Sequence, residues 1–145
     1  MASSFPGTSV APLLGRILIA LLFIPSGLAK LFGFSGTMAY IASVGLPPVF
    51  GAAIAVIVEV VLAAAVLVGW QARWAALIMA LFTIGAALFF HNFWASPPDE
   101  QLMQNINFFK NMAIAGGLLF VYAFGPGAYS LDARSGRAHG DVQTA

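Results

Sequence analysis

The sequence predicts an all-α polytopic membrane protein: a four-transmembrane-helix bundle with a short interfacial helix between spans one and two. Three observations carry that prediction. Hydrophobic residues make up 61% of the chain and charged residues only 8%, whereas a soluble domain holds about 45–50% apolar and about 25% charged residues. Such a chain cannot cover a water-facing surface with charge. Four apolar stretches reach the roughly 20 residues that a helix needs to cross a bilayer. None of them alternates with a period of two, and in lipid only helices or closed barrels satisfy their own backbone, so helices are expected.

The spans fall at about residues 11–33, 47–69, 71–92 and 105–125. Span one, "GRILIALLFIPSGLAK", also has the basic, apolar and small-residue order of a cleavable signal peptide. The three spans behind it favour an uncleaved first helix. Between spans one and two, residues 34–46 are expected to hold the interfacial helix, started near Thr37 and stopped by Gly45. Pro47 and Pro48 then open span two, where the missing N–H of proline costs nothing. Gly69 to Arg73 is a tight turn, "WASPPDEQ" from Trp94 to Gln101 a loop, and Ser135 to Ala145 a disordered polar tail on the cytoplasmic side. Residues 1–134 form one membrane domain, with no internal repeat.

Charge placement gives the expected orientation. Arg16, Arg73, Arg134 and Arg137 fall on the side of the termini, Lys30 and Lys110 on the other. The positive-inside rule therefore puts both termini in the cytoplasm. The net charge of +1 and the lack of a basic run speak against nucleic acid as a partner.

Polar residues inside the spans are the candidates for function. On a helical wheel of about 100° per residue, Gln104, Asn107, Lys110 and Asn111 share one stripe, which turns apolar beyond Asn111. A lone lysine at that depth can snorkel to the headgroups. Amide neighbours on the same face point inward instead, because lipid offers amides no partner. Lys30 ends span one and His91 ends span three, so both reach the same half of the membrane as Lys110. Together they predict an outward-facing, positive, amide-rich polar pocket suited to a bound quinone or an anionic lipid.

Glu59 lies in mid-span among Ala52, Ala55 and Ala63 on its face, and small residues mark close helix contact. Its expected partner is Arg16, in an intramembrane ion pair. A packing clamp and a functional acid both fit such a pair. Trp70, Trp74, Phe93, Trp94 and Tyr40 are expected at the membrane interfaces. No metal site is expected, since His139 is the only other histidine and a metal needs several ligands.

Five blocks in this order, "GRILIALLFIPSGLAKLFGFSGTMAYIASVGLP", "VIVEVVLAAAVLVGWQARWAALIM", "ALFFHNFW", "FFKNMAIAGGLLF" and "FGPGAYSLD", resemble the DoxX family of small four-helix bacterial inner-membrane proteins. The resemblance runs from about Leu13 to Asp132, and Arg16, Lys30, Glu59, His91, Lys110 and Asn111 fall on the pattern's polar positions. It implies the fold and a bacterial inner-membrane location. It also implies contexts of thiosulfate:quinone oxidoreduction or of complexes handling oxidative and thiol stress.

Absences limit the chemistry. The chain has no cysteine, so thiol-relay electron transfer and thiolate-bound iron–sulfur centres are excluded. It has no glycine-rich phosphate loop and no serine-nucleophile motif. No covalent cofactor is expected, and any redox role must borrow electrons from a bound quinone or a partner. The favoured expectation is a non-catalytic subunit or quinone- or lipid-binding module of a redox complex, with membrane or peripheral redox subunits, or further copies of itself, as partners. The rival is an oxidoreductase component or small-anion transporter in which Glu59 or His91 moves protons.

Overall fold

The computed structural model describes residues 10–136, so the expected tail lies almost wholly outside the described residues, as do Arg137 and His139. Among the described residues there is no strand, and four helices are long and apolar enough to cross a membrane. Helix α1 spans Val10–Phe32 and buries a stripe of Arg16, Ala20, Phe23 and Gly27 at three- and four-residue spacing. Gly33 separates it from α2, Phe34–Ser43. The interfacial helix therefore starts a turn before Thr37, whose hydroxyl donates back to Gly33 O (3.2 Å). Gly45, at φ 79°, ends it in the left-handed conformation that glycine adopts freely.

Helix α3 spans Pro48–Val68, with Pro48 in its first turn. Its middle, Ile57–Leu62, is π-helical. The wider i→i+5 turn lets two consecutive residues, Val58 and Glu59, both face the interior. Helix α4 spans Ala72–Phe90 and buries Ala72, Ala75, Ala76, Met79, Ala80, Thr83 and Ala87 on one face. Buried Thr83 is satisfied by donating to Met79 O (2.7 Å). After a 3-10 turn at Phe93–Ala95, α5 runs over Pro98–Phe124. This corrects the expected start near residue 105. Pro98 in the first turn, with Asp99 and Glu100 behind it, favours a helix start there, and only Trp94 to Pro97 is left of the loop.

Packing follows chain order. Helix α1 lies on α3, α3 on α4, and α4 along nearly all of α5, while α1 and α5 meet only sparsely. The apolar core (Phe23, Val58, Val66, Met79, Leu118 and the small residues around them) fills the half of the bundle nearer the termini. One approach is very close. A Cβ on Gly27 would stand 2.7 Å from Val60 Cγ2 and 2.8 Å from Glu59 Cβ, so α1 and α3 meet almost backbone to backbone.

At the terminal end a hook closes the bundle. Past Gly125 and Gly127, Ser130 caps the short helix α6, Leu131–Arg134. The Asp132 carboxylate accepts from the N–H groups of Gln71 (2.9 Å) and Ala72 (3.0 Å), the open start of α4. Arg73 donates to Tyr122 O (3.3 Å) and Ala123 O (3.0 Å), near the end of α5.

Candidate functional site

The half of the bundle away from the termini is hollow. A cavity of about 790 Å³ lies among α1, α2, α3, α4 and α5. That is within the range of roughly 300–1,000 Å³ typical of small-molecule pockets. Each wall follows from local sequence. Helix α1 contributes Ser26 and Lys30, on the turn after Pro25, a residue that removes one helical hydrogen bond. Helix α3 contributes Glu59 from its π-helical turn, and α5 contributes Asn107, Lys110 and Asn111 from its polar stripe. Helix α4 contributes Gly85 and ends the wall at His91. Thr37, Tyr40 and Thr83 also line it, and most of the rest is apolar, with Leu22, Phe50, Ile54, Phe82 and Phe89 among it.

Within the cavity Lys30 and Glu59 form an ion pair, Nζ to Oε2 at 2.7 Å, and Lys30 also donates to Ser26 Oγ at 2.7 Å. The side chain of Glu59 is 8% exposed and that of Lys30 31%. This overturns the expected Arg16–Glu59 pair. Arg16 and Lys30 stand at opposite ends of α1, about 21 Å apart at 1.5 Å per residue. Lys30 reaches back along the helix to Glu59, in the direction in which helical side chains lean. Arg16 is fully buried and donates instead to Leu67 O (2.7 Å), Val66 O (3.4 Å) and Tyr129 O. It ties the end of α3 and the hook to α1.

The other expected pocket residues divide. Lys30, His91, Asn107, Lys110 and Asn111 all line the cavity. Gln104 does not line it but holds His91, with Oε1 2.9 Å from the ring Nδ1. The ring is thus partnered by a side chain on α5. Tyr40, expected as an interface anchor, stacks on Phe90 with centroids 4.9 Å apart, and both line the cavity. Phe93 and Trp94 pack with Phe108 and Phe109 in an edge-to-face cluster near the end of α4. Ser26 and Thr37 were not anticipated as cavity residues. Ser26 was detectable as the residue one turn before Lys30 on α1. Among the described residues, no group of three or more histidine, cysteine or acidic side chains is placed to hold a metal.

The fold and cavity define a class: a four-span membrane protein with a cavity among its helices at one end of the bundle, mostly apolar and carrying several polar side chains. The chain belongs to the DoxX family, whose pattern it matches over residues 11–92. It is 42% identical over 84% of its length to inner membrane protein YphA of Escherichia coli, covering 88% of that protein. It is 37% identical over 85% of its length to inner membrane protein YqjF of the same organism, covering 90% of it. A shorter stretch, 52% of the chain, is 31% identical to a surfeit locus protein 4 homolog of Schizosaccharomyces pombe and covers 26% of that protein. No solved structure matches the chain. The protein is therefore a DoxX-family membrane protein, and its full-length relatives are inner-membrane proteins.

Proposed function

We propose that this protein is a non-catalytic membrane module that holds an amphipathic molecule taken from the bilayer, and that it serves a redox complex as a membrane subunit. The observation that supports this reading is the mixed lining of the cavity. Lys30, Glu59, Lys110, Asn107 and Asn111 supply polar groups for a head, and most of the remaining wall is apolar and suits a chain. Phe50, Ile54, Leu22 and Phe89 belong both to those walls and to the outer surface, with Phe50 75% exposed. A molecule with a polar head and an apolar chain matches both parts without leaving the membrane.

The donors suit the carbonyl of a quinone or the oxygens of an anionic head alike. Asn107, Asn111 and Lys110 would hold either one, and a quinone would supply the electron-accepting group that the side chains lack. The redox setting comes from the family resemblance and from the absence of cysteine. In this reading the cavity faces the periplasmic side and both termini the cytoplasm, as the placement of arginine and lysine indicates.

The test uses Gly85, a cavity-wall residue at which an added Cβ meets nothing within 4 Å. Gly85→Trp fills the cavity from a position where the backbone has room. Mass spectrometry on organic extracts should show one amphiphile enriched over the bulk membrane in wild type and lost from the variant. The same extract from both would refute the reading.

The rival role, proton movement, has one observation in its favour: the π-helical turn that places Glu59 in the cavity against Lys30. π-Bulges are frequent at functional sites. That reading requires flux or turnover in proteoliposomes that collapses in Glu59→Gln at unchanged expression.

A further inference from the structure

The charges on the cavity wall do not balance. Lys30 and Glu59 offset one another at 2.7 Å. Lys110 is left: among the described residues no carboxylate lies within ion-pair distance of it and no acceptor bonds its ammonium. The acids of its own helix, Asp99 and Glu100, precede it by ten residues or more, roughly 15 Å along the axis. Depth makes the imbalance matter. Gln104 stands level with His91 at the end of α4, and Lys110 lies about 9 Å further into the bundle at 1.5 Å per residue. The amides of Asn107 and Asn111 flank it on the same stripe, and neither has a side-chain partner among the described residues.

Lys110 is exposed on the cavity side rather than enclosed by protein. In a membrane a cation at that depth without a counter-charge is unfavourable, with the unpartnered amides beside it adding to the cost. A neutral head would satisfy the amides but leave the charge. A head bearing one negative charge satisfies both, with the ammonium against the anion and the asparagine N–H groups donating to its oxygens. We infer that the cavity selects amphiphiles whose head carries a single carboxylate or phosphate charge, read by Lys110 with Asn107 and Asn111. This rests on the reading of the cavity as an amphiphile site and narrows it, against neutral quinones.

The experiment measures binding to the full-length protein in a neutral detergent by native mass spectrometry. The probes are dioleoyl phosphatidylglycerol and oleate as anions, with dioleoyl phosphatidylcholine and a short-chain ubiquinone as heads without net charge. Wild type should bind both anions tighter than both others by on the order of tenfold or more, as a charge-assisted contact implies. Lys110→Arg should keep that ranking and Lys110→Met should abolish it, with unchanged helical circular dichroism. Should Lys110→Met not fold, the ranking on wild type decides by itself. Inorganic phosphate should not displace the bound lipid, and displacement by it would overturn the membrane source of the anion. Ubiquinone or phosphatidylcholine binding as tightly as phosphatidylglycerol would overturn the charge selection while leaving the amphiphile site intact. Equal binding of every probe to wild type and Gly85→Trp would instead remove the cavity site itself.

Discussion

The two ends of the bundle use polar residues in opposite ways. At the terminal end, Arg16, Arg73, Ser130 and Asp132 each bond backbone groups that the ends of helices leave open. The bonds of Arg16, Arg73 and Asp132 join elements about 50 to 110 positions apart, while Ser130 caps its own short helix. At the other end, Lys110, Asn107 and Asn111 bond nothing among the described residues and face a cavity of about 790 Å³. Lys30 and Glu59 stand between the two cases, paired with each other yet open to the cavity. In a membrane an unsatisfied polar group is costly. Side chains bonded to backbone at one end are therefore the marks of structure, even though Arg16 Nε is itself buried without a partner. The unbonded side chains that face the cavity at the other end are the marks of a binding site.

That contrast can be broken by substitution. The largest loss of stability is expected from Arg16→Met, which strips the carbonyls of Val66, Leu67 and Tyr129 of their donor in a fully buried place. About 3 kcal/mol or more is expected, as each buried group left unsatisfied costs about 1–3 kcal/mol. The check is the melting temperature in detergent and the yield of folded protein. Next comes Gly27→Leu, which drives a side chain into Val60 and Glu59 across the close contact of α1 with α3. Overpacking of this kind costs about 1–3 kcal/mol, and the displaced π-helical turn should also weaken the Lys30–Glu59 pair.

A double-mutant cycle sharpens the intermediate case. Glu59→Gln leaves Lys30 without its partner and should lower stability by about 2 kcal/mol, less than for a fully buried pair because Lys30 is partly exposed. Adding Lys30→Met should recover part of that loss. Asp132→Asn, which keeps the shape of the cap but removes its charge, should cost about 1 kcal/mol. The smallest effect on stability belongs to Lys110→Met, which removes an uncompensated cation and should leave the ligand-free protein as stable as wild type or slightly more so.

The sequence made the spans legible because hydropathy and length alone define them in lipid. It missed the true start of α5: Pro98 begins the helix, but the polar residues behind it resemble a loop when judged by hydropathy. The shared stripe of Asn107, Lys110 and Asn111 was readable because helical periodicity assigns a face. The partner of Glu59 was not, since a wheel carries no information on how far along a neighbouring helix a lysine reaches. Arg16 looked like an ion-pair partner because its true acceptors are backbone carbonyls, which no side-chain pattern records. The hook was likewise hidden. "FGPGAYSLD" shows its turns through Gly125 and Gly127, but nothing in it shows that Asp132 caps a helix some 60 positions earlier.

The most direct measurement takes Asp132→Asn and Lys110→Met through the same two assays, melting temperature and the amount of co-purified amphiphile. The account predicts a double dissociation. Asp132→Asn should melt lower and keep the amphiphile, while Lys110→Met should lose the amphiphile and melt as delipidated wild type does. If Lys110→Met retained the amphiphile and lost stability as Asp132→Asn does, the two ends would be alike and the polar cavity would be a structural feature.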